Sequence, residues 1–375
     1  MTKLVTSLTL KHGAVLKTPI AMAPMEAYVA ETDGNIGADA LTFYGMRSKV
    51  AGMIITGATN VNAAGKGFDR QIANTSDENL PGLKRLAQAL KKDGNKAILQ
   101  LYHGGREAAT AQKLIGRTLA PSKIAFPFLD YAPEEMTDEE VQQTIADYAA
   151  ATTRAIKAGF DGVEIHGANH YLIQQFFSAY SNHRQDHWGG SLAKRMNFPL
   201  AVTKAVTQAA KDAIKEGFII GYRFSPEEVH GENVGYTIKE SLQLIDQVAD
   251  YDLDYIHTSL FTAYNDQPVG YAKSFGQLVK ETVGDRAQTI IVSNVFGAKA
   301  AQDALNYGDI VAVGRQALLD PEFAEKINTG KSDQIFTEVT KERVNELGFT
   351  DDLKAWFTME GSVIPPLPGM ENFKK

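Results

Sequence analysis

The chain has 375 residues, of which 44% are apolar and 22% charged, an ordinary balance for a globular protein with a large core. Its formal net charge of -7 and pI near 5.7, with no block of lysine and arginine, argue against nucleic acid as a partner. Cysteine is absent, which excludes disulfides, a thiolate nucleophile and Cys-ligated metal centres.

The chain begins MTKLVTSLTLKHG, which lacks the long apolar core of a secretory signal. No run approaches the roughly 20 apolar residues that a membrane span requires. We therefore expect a cytoplasmic protein that acts on a small molecule and has no membrane partner.

Short apolar runs recur along the chain, and each is followed by a helical pattern. Most are almost continuously apolar rather than alternating, which is typical of parallel strands buried on both faces. Between them, 77–94 and 136–159 carry apolar residues at helical spacing, and the second begins with a capping box of Thr137 and Glu140. The eight predicted strands are 19–25, 50–58, 96–103, 160–167, 217–224, 253–260, 289–295 and 309–315.

Eight strand–helix units predict an α/β fold that forms a single (β/α)8 barrel over residues 1–375. The core is expected at about 19–330, with a helical segment and an extended tail at about 331–375. An open doubly wound sheet is the alternative, and the absence of GxGxxG disfavours it.

Two segments depart from a minimal barrel. Residues 8–20 alternate around a His-Gly pair and predict a hairpin that plugs the N-terminal end of the barrel. Residues 104–136 contain Pro121, Pro127 and Pro133 and look too irregular for a helix, so we expect a lid over the opposite end.

Polar side chains gather where the predicted strands end, which is where barrels of this kind carry their sites. This clustering indicates a shared ligand rather than contact with water. The residues at these strand ends, most of them polar, are Pro24, Met25 and Glu26, then Gly57 and Ala58, Gln100 and His103, His166, Asn169 and Tyr171, Arg223, His257 and Ser259, Ser293 and Asn294, and Gly314 and Arg315. The last two groups follow strands seven and eight, where phosphate binds in this fold, although a turn and a surface ion pair explain them equally well.

The segment HGANHYL, residues 166–172, has three interpretations. His166 and His170 are four apart, as in a zinc motif, but the motif's glutamate is missing and the segment follows a strand. His166 could instead be a buried ring that the backbone satisfies. The third interpretation is chemical: His166 and Asn169 donate hydrogen bonds to one oxygen, and Tyr171 supplies a proton.

The spacing of His183 and His187 repeats that of His166 and His170, with the same weakness as a metal motif. We interpret them as making loop hydrogen bonds and assign no metal site. His170 receives no chemical role, because alternation along the segment indicates that it faces away.

The sequence resembles the Old Yellow Enzyme family of FMN-dependent NAD(P)H oxidoreductases, in its bacterial short-chain branch, from about residue 3 to 330. GFDGVEIHGANHYLIQQFFSAYSNHRQDHWGGSLAKRMNF, residues 159–198, is similar to the family signature almost throughout. APMEAY, LQLYHGGR, YRFSPEE and VGRQALLDPEF match further family blocks in the same order. Together these motifs are highly specific.

The resemblance implies a ping-pong ene-reductase that reduces α,β-unsaturated carbonyl or nitro compounds, with non-covalent FMN and NAD(P)H as electron donor. His166 and Asn169 match the pair that binds the substrate oxygen, Tyr171 matches the proton donor, and Tyr28 matches an active-site tyrosine. Homo-oligomers occur in the family, so one is compatible with this chain. The residues that match cofactor contacts are Ala23, Pro24, Met25, Glu26, Ala58, Gln100, Arg223, Ser293, Asn294, Val295, Gly314 and Arg315.

Glu26 departs from the family, whose members usually have cysteine or threonine there. An ionised carboxylate beside the flavin would disfavour the reduced anion, whereas a protonated one could donate a hydrogen bond. A third alternative is that Glu26 points away from the ring. Two other functions also stay open: a flavin barrel that oxidises another small donor, and a flavin-binding or redox-sensing protein without catalysis.

Overall fold

A computed structural model describes residues 3–213, 215–359 and 365–371. Its strands are β1 Leu8–Thr9, β2 Val15–Leu16, β3 Ile20–Met22, β4 Met53–Ile55, β5 Thr59–Asn60, β6 Lys96–Tyr102, β7 Leu119–Ala120, β8 Glu134–Glu135, β9 Gly162–Gly167, β10 Ile219–Phe224, β11 Glu228–His230, β12 Asn233–Tyr236, β13 Tyr255–Thr258, β14 Gln288–Val292 and β15 Ile310–Val313. Its α-helices are α1 Ala38–Met46, α2 Leu80–Leu90, α3 Ala109–Ile115, α4 Asp138–Ala158, α5 Leu172–Phe177, α6 Leu192–Arg195, α7 Asn197–Asp212, α8 Ile238–Ala249, α9 Phe275–Val283, α10 Gly297–Ala304, α11 Arg315–Leu319, α12 Phe323–Asn328, α13 Lys341–Val344 and α14 Asp351–Thr358. No helix in these ranges has the length and apolarity needed to cross a membrane.

Eight parallel strands close a barrel in the order β4-β3-β15-β14-β13-β10-β9-β6, and pairing of β4 with β6 completes the ring. Each lies within or one residue beyond a predicted run, so the (β/α)8 prediction is confirmed. The register aligns polar side chains across neighbouring strands. Arg223 of β10 is opposite His166 of β9 and His257 of β13, and one level lower Gln100 of β6 is opposite Glu164 of β9.

The apolar core has two parts. The larger part lies between the strands and the surrounding helices, and the smaller part fills the barrel interior. Gly221 is required there, because a Cβ at this position would lie 2.1 Å from the ring of Tyr255. The interior part consists of Leu10, Ala14, Leu16, Ala21, Ala23, Met53, Ile55, Ile98, Ile219, Tyr255, Ile290, Val292, Ile310 and Ala312.

The predicted N-terminal hairpin is formed by β1 and β2, which pair antiparallel. Its Leu10 and Leu16 belong to the interior core. The hairpin is fixed at the N-terminal end of the barrel, where Asp254 precedes β13. The Nδ1 of His12 lies 2.8 Å from Oδ2 of Asp254, and the backbone N–H of His12 donates to Oδ1 at 3.1 Å.

The excursion at 104–136 differs from the prediction, because it contains the helix α3. The expectation of no helix there was wrong. All three prolines lie after residue 120, so the earlier part of the excursion has no helix breaker. Gly116, with φ 76°, caps the helix in the left-handed conformation.

The two predicted helices at 77–94 and 136–159 are confirmed as α2 and α4. Thr137 and Glu140 form the expected capping box, and Gly159 ends α4 with φ 87°. After the barrel, α13 and α14 continue the helical pattern. Of the predicted tail, 360–364 and 372–375 lie outside the described residues, and its division from the core stays a prediction.

Candidate active site

The loop after β9 is held in an unusual backbone conformation. Asn169 and His170 have φ of 58° and 65°, a region in which asparagine is among the more tolerant residues. The N–H of Asn169 donates to Oγ of Ser225 at 2.9 Å, and that of His170 donates to Oε1 of Gln174 at 3.0 Å. These bonds hold the turn that lies between His166 and Tyr171.

His166 lies buried beneath this turn. Burial, and then the charge of Arg223, hold the pKa of its imidazole well below the ordinary value, so the ring is neutral. Its Nδ1 accepts the N–H of Ala168 at 3.3 Å. The ring proton is therefore on Nε2, which becomes a hydrogen-bond donor.

Tyr171 stands beside His166 at the start of α5. The two rings meet edge to face with centroids 5.1 Å apart, and the ring of Tyr102 packs against Tyr171 at 4.5 Å. Burial, and then the charges of Glu107 and Glu26, raise the pKa of the Tyr171 phenol. Its proton is therefore retained at neutral pH and is available to a reacting atom nearby.

A cluster of buried polar groups lies inside the barrel, with His257 and Arg223 at the level of His166 and with Gln100 and Glu164 one level lower. Nε2 of Gln100 donates to Oε1 of Glu164 at 2.7 Å, and Nδ1 of His257 lies 2.9 Å from Oε2 of Glu164. Burial favours the neutral form of Glu164, but the charges and hydrogen bonds of its neighbours hold its pKa below the ordinary value. Burial also lowers the pKa of His257, against the attraction of Glu164. A neutral His257 therefore donates from Nδ1 to an ionised Glu164.

Several buried polar atoms of this part of the barrel have no hydrogen-bond partner among the described residues, and two of them share one level. These two are Nε of Arg223 and Nε2 of His257, and both are buried. Buried polar atoms are rarely left unpaired in native proteins, so an unpaired donor and an unpaired acceptor at one level indicate a bound ligand.

Glu26 lies on the loop after β3, close enough for its charge to act on Tyr171. Its Oε1 accepts the N–H groups of Ala27 and Tyr28, both at 3.1 Å, so the carboxyl folds back on its own loop. Its Oε2 is buried and has no partner in the ranges that the structure describes. Burial raises the pKa of Glu26 to about 8. Of the alternatives that the sequence left open, this favours a protonated Glu26.

Tyr28 lies between two aromatic rings and has φ 51°. Its centroid is 5.8 Å from that of Phe68 and 5.8 Å from that of Trp356 in α14. Oγ1 of Thr350 also donates to the carbonyl of Tyr28 at 3.2 Å. The C-terminal segment therefore forms one wall beside the candidate site.

Side chains at the ends of β14 and β15 bond mainly within the protein. Oγ of Ser293 donates to the carbonyl of Leu260 at 2.8 Å, and the amide of Asn294 bonds both the carbonyl of Thr262 and the guanidinium of Arg315. NH1 of Arg315 donates to the carbonyl of Pro366 at 3.3 Å. A phosphate here would therefore be met mostly by backbone N–H groups and by the charge of Arg315.

The remaining predicted contacts are short side chains around the end of β3. Ala23, Pro24 and Ala58 are buried and Met25 is half-buried. Beyond β15, a Cβ at Gly314 would meet only Sδ of Met25 at 3.5 Å and Cβ of Ala23 at 3.9 Å. Gly314 and the end of β3 therefore border one space.

Comparison with known proteins identifies the family. Residues 3–334 match the model of the NADH:flavin oxidoreductase / NADH oxidase family. The chain belongs to this family. It is 41% identical over 334 residues to the probable NADH-dependent flavin oxidoreductase YqiG of Bacillus subtilis, covering 88% of this chain and 89% of the relative. The family uses FMN with NADH or NADPH, so this chain is an NAD(P)H-dependent flavin oxidoreductase.

Two longer relatives are also similar. The NADH:acrylate oxidoreductase of Vibrio harveyi is 37% identical, and the NADH:fumarate oxidoreductase of Klebsiella pneumoniae is 38% identical. These matches cover 92% and 89% of this chain, but only 35% and 36% of the relatives.

Solved structures agree with the family assignment. Morphinone reductase in complex with tetrahydroNAD has a TM-score of 0.78 at 27% identity, covering 93% of this chain and 96% of that one. An Old Yellow Enzyme homologue from Zymomonas mobilis shares the fold, with a TM-score of 0.79 at 23% identity and coverage of 93% and 98%. The resemblance to the Old Yellow Enzyme family is confirmed.

The unpaired atoms in the barrel fit this family's FMN. The N–H of Arg223 and its cationic charge suit the electron-rich edge of an isoalloxazine ring, and Nε2 of His257 offers an acceptor. Because the amide nitrogen of Gln100 is engaged by Glu164, its oxygen is left to accept from a ring N–H. Arg223 and Gln100 would hold the ring, and Gly314 and Arg315 the phosphate.

The sequence did not reveal the roles of Glu164 and Trp356. Glu164 is two residues before His166 on a strand and shares its face, so a carboxylate in an apolar run was an available signal. No local signal pointed to the contact of Trp356 with Tyr28, which joins distant parts of the chain.

His170, to which the sequence assigned no chemical role, lies beside a histidine of another strand. Nε2 of His170 lies 3.0 Å from Nε2 of His230 in β11. Within the part of the chain that the structure describes, no group of three or more histidine, aspartate or glutamate side chains could hold a metal ion.

Proposed function

We propose that the protein reduces activated alkenes, in which a carbon–carbon double bond is conjugated to a carbonyl, carboxylate or nitro group. The observation that carries this proposal is the proximity of a neutral, Nε2-protonated His166 at the end of β9 to a protonated Tyr171 at the start of α5, with ring centroids 5.1 Å apart. One group donates a hydrogen bond and the other retains a transferable proton. The names of the acrylate and fumarate relatives support this substrate class.

In this proposal, Arg223 and Gln100 would hold FMN, which would supply the hydride for the β-carbon of the alkene, with NAD(P)H as electron donor. His166 and Asn169 donate hydrogen bonds to the substrate oxygen, where negative charge grows. Oriented donors of this kind typically lower a barrier by about 3 kcal/mol. Tyr171 gives its phenolic proton to the α-carbon, so the O–H bond breaks as the C–H bond forms.

The test separates the two half-reactions in the variant Tyr171→Phe. We expect reduction of the bound flavin by NAD(P)H to keep its rate, while reoxidation by an enone, a nitroalkene or acrylate slows by roughly 10²–10⁴-fold. Stopped-flow absorbance of the flavin measures both rates.

Tyr180→Phe is the matched control, because Tyr180 is 37% exposed. It should change neither half-reaction. Equal slowing of both in Tyr171→Phe would contradict the proton-donor role. Turnover with alcohols, amines or hydroxy acids but not with alkenes would favour the alternative barrel oxidoreductase.

A further inference from the structure

Ser259 connects the flavin side of the site to its substrate side. It follows β13, and its backbone N–H donates at 2.8 Å to the carbonyl of Phe224, the residue next to Arg223. NH2 of Arg223 donates to Oγ of Ser259 at 2.9 Å. Oγ of Ser259 lies 2.9 Å from Oδ1 of Asn169. A buried hydroxyl thus bridges a guanidinium and an amide.

The direction of these two linked hydrogen bonds is fixed by the arginine at their start. Arginine has N–H donors and no acceptor, so Oγ of Ser259 must accept from Arg223. The single proton of Ser259 is then free to be donated to the oxygen of Asn169. If the Asn169 amide turned over, its NH2 would face this hydroxyl, and the hydroxyl proton would lose its acceptor.

These hydrogen bonds define the orientation of the Asn169 side-chain amide. With Oδ1 held by Ser259, the Nδ2 group of Asn169 points the other way, and it donates to no other residue in the described part of the chain. The backbone of Asn169 is held separately by Ser225. The side chain therefore presents N–H donors, as His166 does from Nε2.

We propose that Ser259 is a positioning residue that makes Asn169 a hydrogen-bond donor and thereby selects ligands that present an acceptor oxygen. This inference rests on the proposed function, in which Asn169 contacts the substrate oxygen. Ligands that present a donor, such as an aromatic amine, are disfavoured because they would meet two N–H groups.

The experiment measures binding to the FMN-loaded protein without turnover. The probes are para-chlorophenol, whose phenolate oxygen accepts, and para-chloroaniline, whose amine donates. Dissociation constants come from the change in the flavin spectrum, and FMN retention is checked by fluorescence. The variants are Asn169→Ala, Ser259→Ala, their double mutant, and Ser259→Thr, which keeps a hydroxyl.

We expect Asn169→Ala and Ser259→Ala each to weaken phenol binding by roughly tenfold, and the double mutant to be no weaker than Asn169→Ala alone. The preference for phenol over aniline should fall in Ser259→Ala, because the amide can then turn over. Ser259→Thr, which keeps the hydroxyl, should retain both the affinity for phenol and the preference for phenol over aniline. A merely structural role for Ser259 would weaken the two probes equally.

Three results would overturn parts of this account, and they differ. Unchanged phenol binding in Asn169→Ala would remove Asn169 from the oxygen site and refute that part of the proposed function. A loss in Asn169→Ala without one in Ser259→Ala would refute the role of Ser259 alone. So would a full additional loss on adding Ser259→Ala to Asn169→Ala. If Ser259→Ala fails to retain FMN, Ser259→Cys replaces it, and its weaker donor should give a smaller loss of phenol binding in the same direction.

Discussion

Asp254 at the N-terminal end of the barrel and Glu26 at the C-terminal end are both buried carboxyl groups, but their oxygens are used differently. Oδ1 of Asp254 accepts the N–H of His12, and Oδ2 accepts from the His12 ring at 2.8 Å and from the N–H of Ile220 at 2.9 Å. Glu26 has two bonds on Oε1, and its buried Oε2 has none from the residues described. One carboxyl is fully paired, and the other is half paired.

This difference separates structure from function within one barrel. At the N-terminal end, Asp254 pairs with His12 and holds the hairpin of β1 and β2 in place. At the C-terminal end, Arg223 and His257 also keep unpaired atoms, at the level where FMN fits. Since buried polar atoms without partners are unfavourable, the unpaired atoms of Arg223, His257 and Glu26 are suited to a bound ligand.

The largest expected effect is on stability, from Asp254→Ala. It leaves the two backbone N–H groups of His12 and Ile220 without their acceptor, which should lower the free energy of unfolding by about 3 kcal/mol. Urea unfolding of the FMN-loaded protein measures this loss. Phenol binding should be unchanged in the folded variant.

Asp250→Ala is the control for removing a carboxylate. Its partner Arg286 lies 2.8 Å away at the surface, and exposed ion pairs contribute about 0–1 kcal/mol. If Asp254→Ala lowers the free energy of unfolding no more than Asp250→Ala does, or if it weakens phenol binding, the purely structural role of Asp254 is contradicted.

A smaller effect, dependent on pH, is expected from Glu26→Gln. The pKa of Glu26 is raised by burial from its ordinary 4.5 to about 8, so the folded protein holds a proton that the unfolded chain has lost. Its contribution to stability is complete below pH 4.5 and is lost as pH rises through 8. Between pH 5.5 and 7 the parent should lose roughly 1–2 kcal/mol relative to the variant.

Unfolding free energies of both proteins at several pH values measure this difference. Glu31→Gln, at an exposed carboxyl on the same loop, controls for the loss of one charge. A constant difference between parent and Glu26→Gln across pH would mean that Glu26 is ionised throughout, against the geometry of its unpaired oxygen.

The strands of the barrel were predictable because burial on both faces leaves a direct mark in the sequence. A run such as residues 160–167 is apolar because helices cover one face and the interior core the other. The helix α3 left no equally clear mark, since it is short and lies in a segment that also contains three prolines. A short helix is stabilised mainly by packing, which its own sequence does not record.

The sequence indicated most directly those candidate-site residues that are close in the chain, and it did not specify the pairings between strands. His166, Asn169 and Tyr171 lie within six positions, and their clustering was visible. Ser259 and Asn169 are 90 residues apart, and His257 and Glu164 are 93 apart. Such pairs depend on strand register and barrel closure, which no local pattern specifies.

The smallest expected effect comes from His12→Ala, at the paired end of the barrel. Burial lowers the pKa of His12, but the hydrogen bonds and charges of Asp254 and Asp252 outweigh it and raise the pKa above 6.5. The stability that protonated His12 contributes is therefore complete below pH 6.5 and is lost as pH rises through the folded-state pKa. We expect His12→Ala to lower the unfolding free energy by about 1 kcal/mol at pH 5.5 and by less at pH 8.5. Urea unfolding at the two pH values measures the difference.

The unfolding free energy of His12→Ala should thus approach that of the parent at high pH, whereas that of Glu26→Gln should depart from it. Equal pH profiles for the two variants would contradict the contrast between the two ends of the barrel.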